Sequence, residues 1–266
     1  FPELALTTFF PRWHMPLEEA DHFYETEMPN RFTKPLWDEA VRLGVGFALG
    51  YALKTPDGHR RNVYHLVDGA GATIGIYAKV HVPGHADPEP DRPFQHAERH
   101  YFEPGTDFPA FRAFGGIVGM MICNDRRWSE GYRVLGLQGT ELILIGYNTP
   151  KHYVPDPDQD RLAGFHNHLV MQAGAYQNGA FVVGVAKGGI EESVDSLAGS
   201  AIIAPSGEII ATTETEADEV IVAEIDLDAT KRYKETLFDF DLYRVPAAYA
   251  RITSQRGVIP PQEDAR

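Results

Sequence analysis

The chain has 266 residues, of which 43% are hydrophobic and 23% charged, as in an ordinary globular protein, and we expect one domain over residues 1–266. Its formal net charge of -14 at pH 7 repels polyphosphates and anionic lipid surfaces, so neither nucleic acid nor a membrane is expected as a partner. No apolar run reaches the roughly 18 residues that span a bilayer.

The N-terminal part is predicted to form a short helix followed by a β-meander. Residues 35–44 (PLWDEAVRLG) have proline near the start and glycine at the end, which predicts an amphipathic helix with Leu36, Ala40 and Leu43 on one face. Strand-like runs follow at 45–54, 62–68 and 73–82, separated by turns rich in Gly and Asp. Residues 83–110 contain six prolines and are predicted to form a long irregular loop, which at this length is usually functional.

The remaining segments alternate between strands and helices. Residues 116–123 and 141–148 are predicted buried strands, and residues 129–139 a helix capped by Ser129. A longer helix is predicted over 158–178, and further strands over 180–189, 200–210 and 219–227. The apolar positions of the longer helix that share helical spacing are Leu162, Phe165, Leu169, Ala173 and Tyr176. This order predicts an α/β (α+β) protein with mixed β-sheets covered by helices.

Cys123 is the only cysteine, which excludes an intrachain disulfide and favours a reducing compartment, so a cytoplasmic protein is expected. FPELALTTFF, the first ten residues, lacks the basic region and cleavage site of a signal peptide. The cysteine ends a buried strand, so its thiol should emerge where ligands bind in open α/β sheets. Arg126 and Arg127 follow closely and would favour a thiolate. A buried structural thiol is the alternative.

Lys79 and Glu3 are ambiguous when each is taken alone. Lys79 ends a predicted strand at the start of the irregular loop, where a lysine is usually a solvated strand end. Glu3 lies near the start of the sequence, where a glutamate is by default a solvated charge.

Together, FPEL, YAKVHVPG and GMMICNDRRW resemble the three signature blocks of the nitrilase superfamily of carbon–nitrogen hydrolases, in the same chain order. The resemblance implies a glutamate base at Glu3, a lysine at Lys79 and a cysteine nucleophile at Cys123, with no cofactor. It also implies the four-layer α-β-β-α sandwich of that superfamily. In the family a strand and a helix precede the FPE block, whereas this sequence begins at FPE, so we expect that strand and helix to be lacking.

Further segments resemble the N-carbamoyl-D-amino acid amidohydrolases of this superfamily. These segments are HVPGH, RPFQHAERHYFEPG, ICNDRRW, GYNTP, FHNHLVMQAGAYQNGAF, IIAPSGEIIATT and DEVIVAEIDLD. The resemblance implies hydrolysis of the ureido C–N bond of an N-carbamoyl-D-amino acid to the D-amino acid, ammonia and CO2, through a covalent cysteine intermediate. It also implies that the protein forms a homodimer or homotetramer. We expect the C-terminal segment 243–266 to wrap a neighbouring subunit.

Several other residues are expected at the site. Glu98 matches a second glutamate of the family that orients the lysine or shuttles protons. Arg126 and Arg127, with Asn148 and Thr149, match residues near the substrate carboxylate. Arginine can offer that carboxylate a planar, bidentate contact, although we also expect at least one of the two to form a structural salt bridge.

Asn124 and four histidines complete the set. The backbone N–H of Asn124 would join the lysine in holding the oxyanion. The histidines form two HxxxH pairs, but the Pro and Gly in HVPGH keep the first pair off a helix face, so no metal is expected. His81 and His96 are expected to hydrogen-bond substrate or neighbouring carboxylates, and His85 and His100 to be structural.

Other functions compatible with the sequence are β-ureidopropionase, carbamoylputrescine hydrolase and aliphatic amidase. NDRRW favours a carboxylate-bearing substrate and disfavours an amine-bearing one, because like charges repel. A binding or assembly homologue without catalysis, or a redox-sensing thiol, would belong to a different class.

Overall fold

The computed structural model describes residues 1–262, so the last four residues of the C-terminal segment 243–266 lie outside the described residues. The strands are β1 Tyr24–Glu25, β2 Phe47–Lys54, β3 Arg60–Val67, β4 Thr73–Ala78, β5 Ala110–Ala113, β6 Gly116–Ile122, β7 Leu142–Tyr147, β8 Phe181–Ala186, β9 Gly188–Glu191, β10 Val194–Leu197, β11 Ala201–Ile203 and β12 Ile209–Thr212. The helices are α1 Leu17–Ala20, α2 Lys34–Leu43, α3 Glu98–Tyr101, α4 Ser129–Leu137, α5 Ala163–Asn178, α6 Ala229–Lys234, α7 Phe240–Tyr243 and α8 Ala250–Ser254.

Two mixed sheets contain most of the strands. The first sheet has the order β1-β2-β3-β4, and its last three strands are the predicted meander, paired antiparallel. The second sheet has the order β12-β11-β8-β7-β6-β5, with β6, β7 and β8 parallel and the outer pairs antiparallel. Strands β9 and β10 form a separate hairpin.

One face of each sheet packs against the other sheet. Gly146 of β7 lies so close to Tyr64 of β3 that a Cβ would be 3.1 Å from the tyrosine ring. The opposite face of the first sheet is covered by α2, whose Trp37 contacts the rings of Phe47 and His65 at centroid distances of 4.9 and 5.7 Å. The sheets therefore share one core, and α2 forms an outer layer.

Helices α4 and α5 cover the outer face of the second sheet. A Cβ on Gly119 of β6 would lie 2.7 Å from Leu135 of α4. Gly174 of α5 allows the helices to approach, since a Cβ there would lie 2.4 Å from the ring of Tyr132. The layers run helix, sheet, sheet, helix, which confirms the predicted fold class.

The predicted faces of α2 and α5 are partly wrong. In α2, Leu43 is 56% exposed, and Trp37 with Ala40 forms the buried face. In α5, Phe165 and Leu169 are 61% and 45% exposed. The buried residues there are instead Asn167, Met171, Gly174, Ala175 and Asn178, of which only Met171 is both large and apolar. At Gly174, where α4 crosses, the close approach excludes a bulky side chain, so size rather than hydrophobicity selects the residue at that point.

Two other predictions are corrected. Ser129 is the first residue of α4 and not its cap; Trp128 takes the N-cap position, and the Ser129 hydroxyl donates to Glu130. Residues 219–227 pair with no strand within residues 1–262, and Val220 and Val222 are 87% and 82% exposed. Alternating hydrophobicity indicates an extended segment, but it does not supply a sheet neighbour. No helix in the described part of the chain has the length and apolar character of a membrane span.

His65 should make stability depend on pH. It is 1% exposed between α2 and the first sheet, with Nε2 2.8 Å from the Thr73 hydroxyl, and burial lowers its pKa from 6.5 to about 4. In the unfolded chain His65 binds a proton below pH 6.5, whereas the folded chain resists it until about pH 4. This residue should therefore cost up to about 3 kcal/mol of unfolding free energy as pH falls through that window.

Urea unfolding at several pH values measures this effect. We expect His65→Gln to flatten the loss of stability between pH 6.5 and 4, because glutamine can still hydrogen-bond Thr73 but does not titrate. His22→Gln, at an exposed position, is the control and should follow the wild-type profile. Parallel profiles for wild type and His65→Gln would refute the assignment.

Candidate active site

Glu3 lies between the two sheets, where two glycines make room for it. A Cβ on Gly50 of β2 would be 2.9 Å from the Glu3 Cα, and one on Gly146 of β7 would be 3.0 Å from the Glu3 backbone nitrogen. The glutamate is 1% exposed. Side chains at either glycine would displace this segment, so the two strands fix where the carboxylate lies.

Three donors satisfy the Glu3 carboxylate. Its Oε1 accepts from Asn62 Nδ2 and from Lys79 Nζ, both at 2.7 Å, and its Oε2 accepts from the backbone N–H of Asn148 at 3.0 Å. The backbone carbonyl of Asn62 also accepts a hydrogen bond from the backbone N–H of Lys79, at 2.9 Å. Strand β3 therefore aligns the carboxylate and the ammonium together.

Lys79 follows β4 and links two buried carboxylates. Its Nζ donates to Glu3 and also to Glu98 Oε2 at 2.5 Å. The other oxygen of Glu98, the first residue of α3, lies 3.2 Å from His96 Nε2. All three charged side chains are shielded from solvent. Two carboxylates thus share one ammonium in a dry environment, where the ion pairs are strong and loss of one partner is costly.

Cys123 lies in a strained turn at the end of β6. Its φ of +45° is in the left-handed region, which non-glycine residues rarely adopt. The Asp125 carboxylate accepts the Ile122 backbone N–H at 3.0 Å and braces the turn. The sulfur is 3.8 Å from the Asn148 carbonyl oxygen and 3.7 Å from the Thr149 hydroxyl. This backbone conformation directs the thiol away from the strand and toward the residues that follow β7.

Asn148 joins the thiol to the carboxylate network. Its N–H is donated to Glu3, and its carbonyl is the neighbour of the Cys123 sulfur. Within residues 1–262 the sulfur has no direct hydrogen bond to Glu3 or Lys79, but the charges of both perturb its pKa. The structure therefore brings the three signature residues to one place.

A cavity of about 450 Å³, the Cys123 cavity, opens above this network. Besides Cys123, six residues expected at the site line it, namely His96, Asn124, Arg126, Arg127, Asn148 and Thr149. The charged groups Glu3, Lys79 and Glu98 are buried and do not line the cavity. A small ligand in the cavity would therefore contact the thiol directly.

The two arginines differ in their surroundings. Arg126 is 1% exposed and donates to the Cys123 carbonyl at 2.7 Å, to the Thr149 hydroxyl at 3.1 Å and to Asn167 Oδ1 at 3.1 Å. Its guanidinium also lies 4.1 Å from the centroid of the Tyr147 ring. Arg127 is exposed on the cavity wall.

The expected structural salt bridge at the arginines is absent, since neither has an ion pair in the described part of the chain. The acceptors around Arg126 are a carbonyl, a hydroxyl, an amide and the Cys123 sulfur at 3.8 Å, rather than carboxylates. Arg127 is thus the more available cation for an anionic ligand.

His81 does not line the Cys123 cavity, which corrects its expected contact with substrate. Its Nδ1 lies 2.9 Å from Asp125 Oδ1, its backbone N–H donates to the same oxygen at 2.8 Å, and its ring stacks on Trp128. The Asn124 side chain donates to the His81 carbonyl at 3.0 Å. His81 therefore bonds a neighbouring carboxylate, which was the other expectation, and ties the loop to the cysteine turn.

His85 and His100 bond backbone carbonyl groups. His85 Nδ1 lies 2.6 Å from the Asp87 carbonyl, and His100 Nε2 lies 2.9 Å from the Met15 carbonyl. Within residues 1–262, no group of three or more His, Cys, Asp or Glu residues is arranged to hold a metal ion.

Sequence reasoning missed Arg12, Asn62 and Asn167. Each is at least 97% buried and hydrogen-bonds a site residue across a long sequence separation. Arg12 Nη2, for example, donates to Asn148 Oδ1 at 2.9 Å across 136 residues. Nothing local marks such a residue, because its neighbours in sequence are unrelated to its neighbours in space.

Burial and charge separate the pKa values of the two carboxyl groups. Burial raises the pKa of Glu3, and Lys79 offsets only part of this effect. Burial also acts to raise the pKa of Glu98, but the Lys79 ammonium and His96 outweigh it and lower that pKa. Glu3 is therefore the better proton acceptor near neutral pH, and Glu98 the more permanent anion.

The lysine and the thiol also titrate away from their usual values. Burial would lower the pKa of Lys79, but Glu3 and Glu98 together raise it, so the ammonium stays charged. Burial and the negative charge of Glu3 raise the pKa of the Cys123 thiol. The resting sulfur is thus protonated at neutral pH and needs a base before it can attack a carbonyl.

Known proteins resemble this chain in sequence and in fold. The carbon-nitrogen hydrolase family matches residues 1–235. An N-carbamoylputrescine amidase of Arabidopsis thaliana is 31% identical over 220 residues, 77% of this chain and 70% of that protein. A probable nitrilase of Schizosaccharomyces pombe is 31% identical over 180 residues, 68% of this chain, and the chain spans only 58% of that relative's length. A crystal structure of a carbon-nitrogen hydrolase from Helicobacter pylori has a TM-score of 0.80 at 20% identity, covering 96% of this chain and 85% of that one.

Proposed function

This chain belongs to the carbon-nitrogen hydrolase family, and from that premise we propose that it hydrolyses the ureido C–N bond of N-carbamoyl-D-amino acids. The products would be the D-amino acid, ammonia and CO2. One observation carries the proposal: a strained thiol lines a cavity, and Asn148 links it to two buried carboxylates that share one ammonium.

The proposed reaction begins with a proton transfer. Glu3 accepts the Cys123 thiol proton, and the sulfur attacks the ureide carbonyl to give a tetrahedral oxyanion. Lys79 Nζ has three N–H groups, of which two are donated to Glu3 and Glu98, so one is left for the oxyanion beside the backbone N–H of Asn124. Each such donor typically contributes about 3 to 4 kcal/mol to the transition state.

The intermediate then breaks down in two stages. The C–N bond breaks as the leaving nitrogen takes the proton that Glu3 carries, which leaves the carbonyl carbon and the second nitrogen bound to Cys123 as a thiocarbamate. Glu3 next accepts a proton from water, and the hydroxide attacks the thiocarbamate carbonyl. The C–S bond then breaks, Glu3 returns its proton to the sulfur, and the released carbamic acid decomposes to CO2 and the second nitrogen product. Glu98 remains ionised throughout, because its pKa is lowered, and keeps Lys79 in place.

The charge of the cavity supports a carboxylate on the substrate. Arg127 is the available cation on its wall, with Asn148 and Thr149 beside it and Arg126 behind them. Lys151 at the rim is neutralised by Asp195 at 3.0 Å and Glu216 at 2.5 Å. We therefore propose that Arg127 receives the substrate carboxylate through a bidentate contact.

An N-carbamoylated amine is the second candidate substrate, as the name of the Arabidopsis relative suggests. Asp156 on the cavity wall is the group that could meet an ammonium. The arginines oppose it, since like-charge contact costs several kcal/mol.

Ammonia release from four ureides distinguishes the candidates. We expect the highest kcat/KM for N-carbamoyl-D-phenylalanine, with lower values for its L enantiomer and for N-carbamoyl-β-alanine. N-carbamoylputrescine should be at least about 100-fold slower because of the unfavourable charge contact. Preference for the putrescine derivative would reject the carboxylate assignment, and preference for the β-alanine derivative would move the protein to another substrate class.

Variants of Arg127 test the carboxylate contact directly. Arg127→Lys should raise KM for N-carbamoyl-D-phenylalanine about 10-fold with little change in kcat, because a single ammonium replaces a bidentate fork. Arg42→Lys, on the outer helix α2, is the matched control and should leave KM unchanged. An unchanged KM in Arg127→Lys would remove this arginine from the site.

A further inference from the structure

Arg12 is a fully buried arginine that touches the active site without lining its cavity. It lies at the end of a short 3-10 helix, Phe10–Arg12, and is 1% exposed. Its Nη2 donates to Asn148 Oδ1 at 2.9 Å, and its Nη1 donates to the Glu191 carbonyl at 3.3 Å and to Glu191 Oε2 at 3.4 Å. Burying a charged group of this kind costs free energy unless hydrogen bonds and an ion pair compensate for the lost water.

The contact with Arg12 determines which way the Asn148 amide points. A guanidinium has only donors, so Asn148 must present its oxygen to Arg12 and turn its NH2 group elsewhere. Asn148 lines the Cys123 cavity, and its Nδ2 has no hydrogen-bond partner within residues 1–262. The same Nδ2 is not among the fully buried unpaired atoms. A donor is therefore left accessible beside the reactive sulfur.

The position of Arg12 is itself fixed by the β9–β10 hairpin. Glu191, the last residue of β9, accepts the Phe9 backbone N–H at 2.8 Å and the Lys187 ammonium at 2.6 Å. These contacts hold the carboxylate that holds Arg12. A hairpin outside the catalytic network thus determines the orientation of an amide inside the cavity.

We propose that Arg12 is a positioning residue that locks the Asn148 amide, so that its NH2 group donates a hydrogen bond to an oxygen of the bound substrate. Without Arg12 the amide can rotate and present an oxygen to that acceptor, which repels it. The effect should appear mainly in binding, because the donor contacts the substrate before and during the reaction. The inference rests on the proposed function only for the identity of the substrate.

Alkylation of Cys123 by iodoacetamide tests this inference without assuming a substrate. Cys123 is the only cysteine, so modification of the whole protein reports on this thiol alone. The reagent carries an amide oxygen that needs the same donor. We expect Arg12→Met to raise the half-saturating iodoacetamide concentration about 10-fold, as loss of one hydrogen bond would, and to change the maximal rate less than about 2-fold.

A double-mutant cycle separates positioning from a general structural role. Asn148→Ala should raise half-saturation by a similar factor, and adding Arg12→Met to it should change the value by less than about 2-fold, because Arg12 then has no amide to orient. Additive losses, or equal losses in the maximal rate, would overturn the inference. Should Arg12→Met fail to fold, Arg12→Lys takes its place. Arg12→Lys keeps the charge beside Glu191. It should raise the half-saturating iodoacetamide concentration about 3-fold, and only when Asn148 is present.

A substitution that removes another contact with the same hairpin serves as the control, and the same cycle is also measured by turnover. Trp13→Phe removes the 2.7 Å bond from Trp13 Nε1 to Glu192 at the same hairpin and should leave half-saturation unchanged. The same cycle is then run on KM for N-carbamoyl-D-phenylalanine. If the wild type does not hydrolyse this ureide, the proposed function fails, while the alkylation cycle still decides the role of Arg12.

Discussion

Replacing Cys123 with alanine should reduce ureide hydrolysis by at least about 10⁴-fold, since no other thiol exists in the chain to form the covalent intermediate. The fold should persist. Alanine is smaller than cysteine, and the bonds of Asp125 and Arg126 to backbone groups of the turn do not involve the sulfur. Purified variant and wild type are compared by ammonia release and by circular dichroism.

Cys123→Ser is the matched control for this experiment. It retains a nucleophilic atom at the same place, but the hydroxyl is far harder to deprotonate than the thiol, so its activity should also be near background. Mass spectrometry of quenched wild-type reactions should show the substrate-derived thiocarbamate on Cys123, and neither variant should accumulate such an adduct. Turnover in Cys123→Ala comparable to wild type would remove the nucleophile assignment and, with it, the proposed mechanism.

The residues proposed as catalytic could be located because each lies in a local sequence block that resembles a signature block of the family. Glu3 and Lys79 are 76 residues apart, and Lys79 and Cys123 are 44 residues apart. Each is nevertheless flanked by its own strand or turn signal. Chain order then distinguished them from isolated charged residues. The fold class could be predicted for a similar reason, since the period of hydrophobic residues distinguishes strand from helix without knowledge of the partner.

The supporting residues could not be predicted, because they depend on contacts between distant segments. Arg12 hydrogen-bonds a residue 136 positions away, and Asn62 one 59 positions away. In the sequence, each looks like an ordinary polar residue beside an apolar run. The salt bridge expected at Arg126 or Arg127 is likewise absent from the described residues; the partners of Arg126, for example, are set by how α5 and β7 meet. Local pattern indicates that a charge must be satisfied, but not by which group.

The faces of the helices show the same limit. Residues Phe165, Leu169 and Tyr176 have the spacing of a buried stripe, but α5 turns its small residues inward, where α4 crosses. One face of a helix can carry large hydrophobic residues while another carries small residues that allow close packing. The position of the neighbouring element, here α4, determines which face is buried. The segment 219–227 likewise has the alternation of a strand without a partner in the described chain.

Replacing Glu3 with glutamine should lower kcat/KM at neutral pH by at least about 10³-fold. The amide oxygen can still accept from Asn62 and Lys79, so Lys79 keeps two partners. However, the amide NH2 then faces the backbone N–H of Asn148, and one of these two donors is left unpaired at a cost of about 1 to 3 kcal/mol. The variant should fold with reduced stability and lack a base for the thiol.

The pH dependence identifies the base. Because burial raises the pKa of Glu3, the wild-type kcat/KM should fall on the acid side at a pH above the usual carboxyl range, as Glu3 gains a proton. Glu98 does not contribute there, since its pKa is lowered and it remains ionised. On the alkaline side Lys79 stays charged, because the two carboxylates raise its pKa. The acid limb should therefore disappear in Glu3→Gln.

Glu98→Gln is the informative comparison, because both variants remove one negative charge beside Lys79. If the carboxylates were equivalent, either substitution would abolish the acid limb. Only Glu3 contacts the backbone of Asn148, whose carbonyl is the neighbour of the sulfur, and only its pKa is raised. We therefore expect Glu98→Gln to be slower but to retain an acid limb, because Glu3 still titrates. An acid limb retained in Glu3→Gln and lost in Glu98→Gln would assign the base to the other carboxylate.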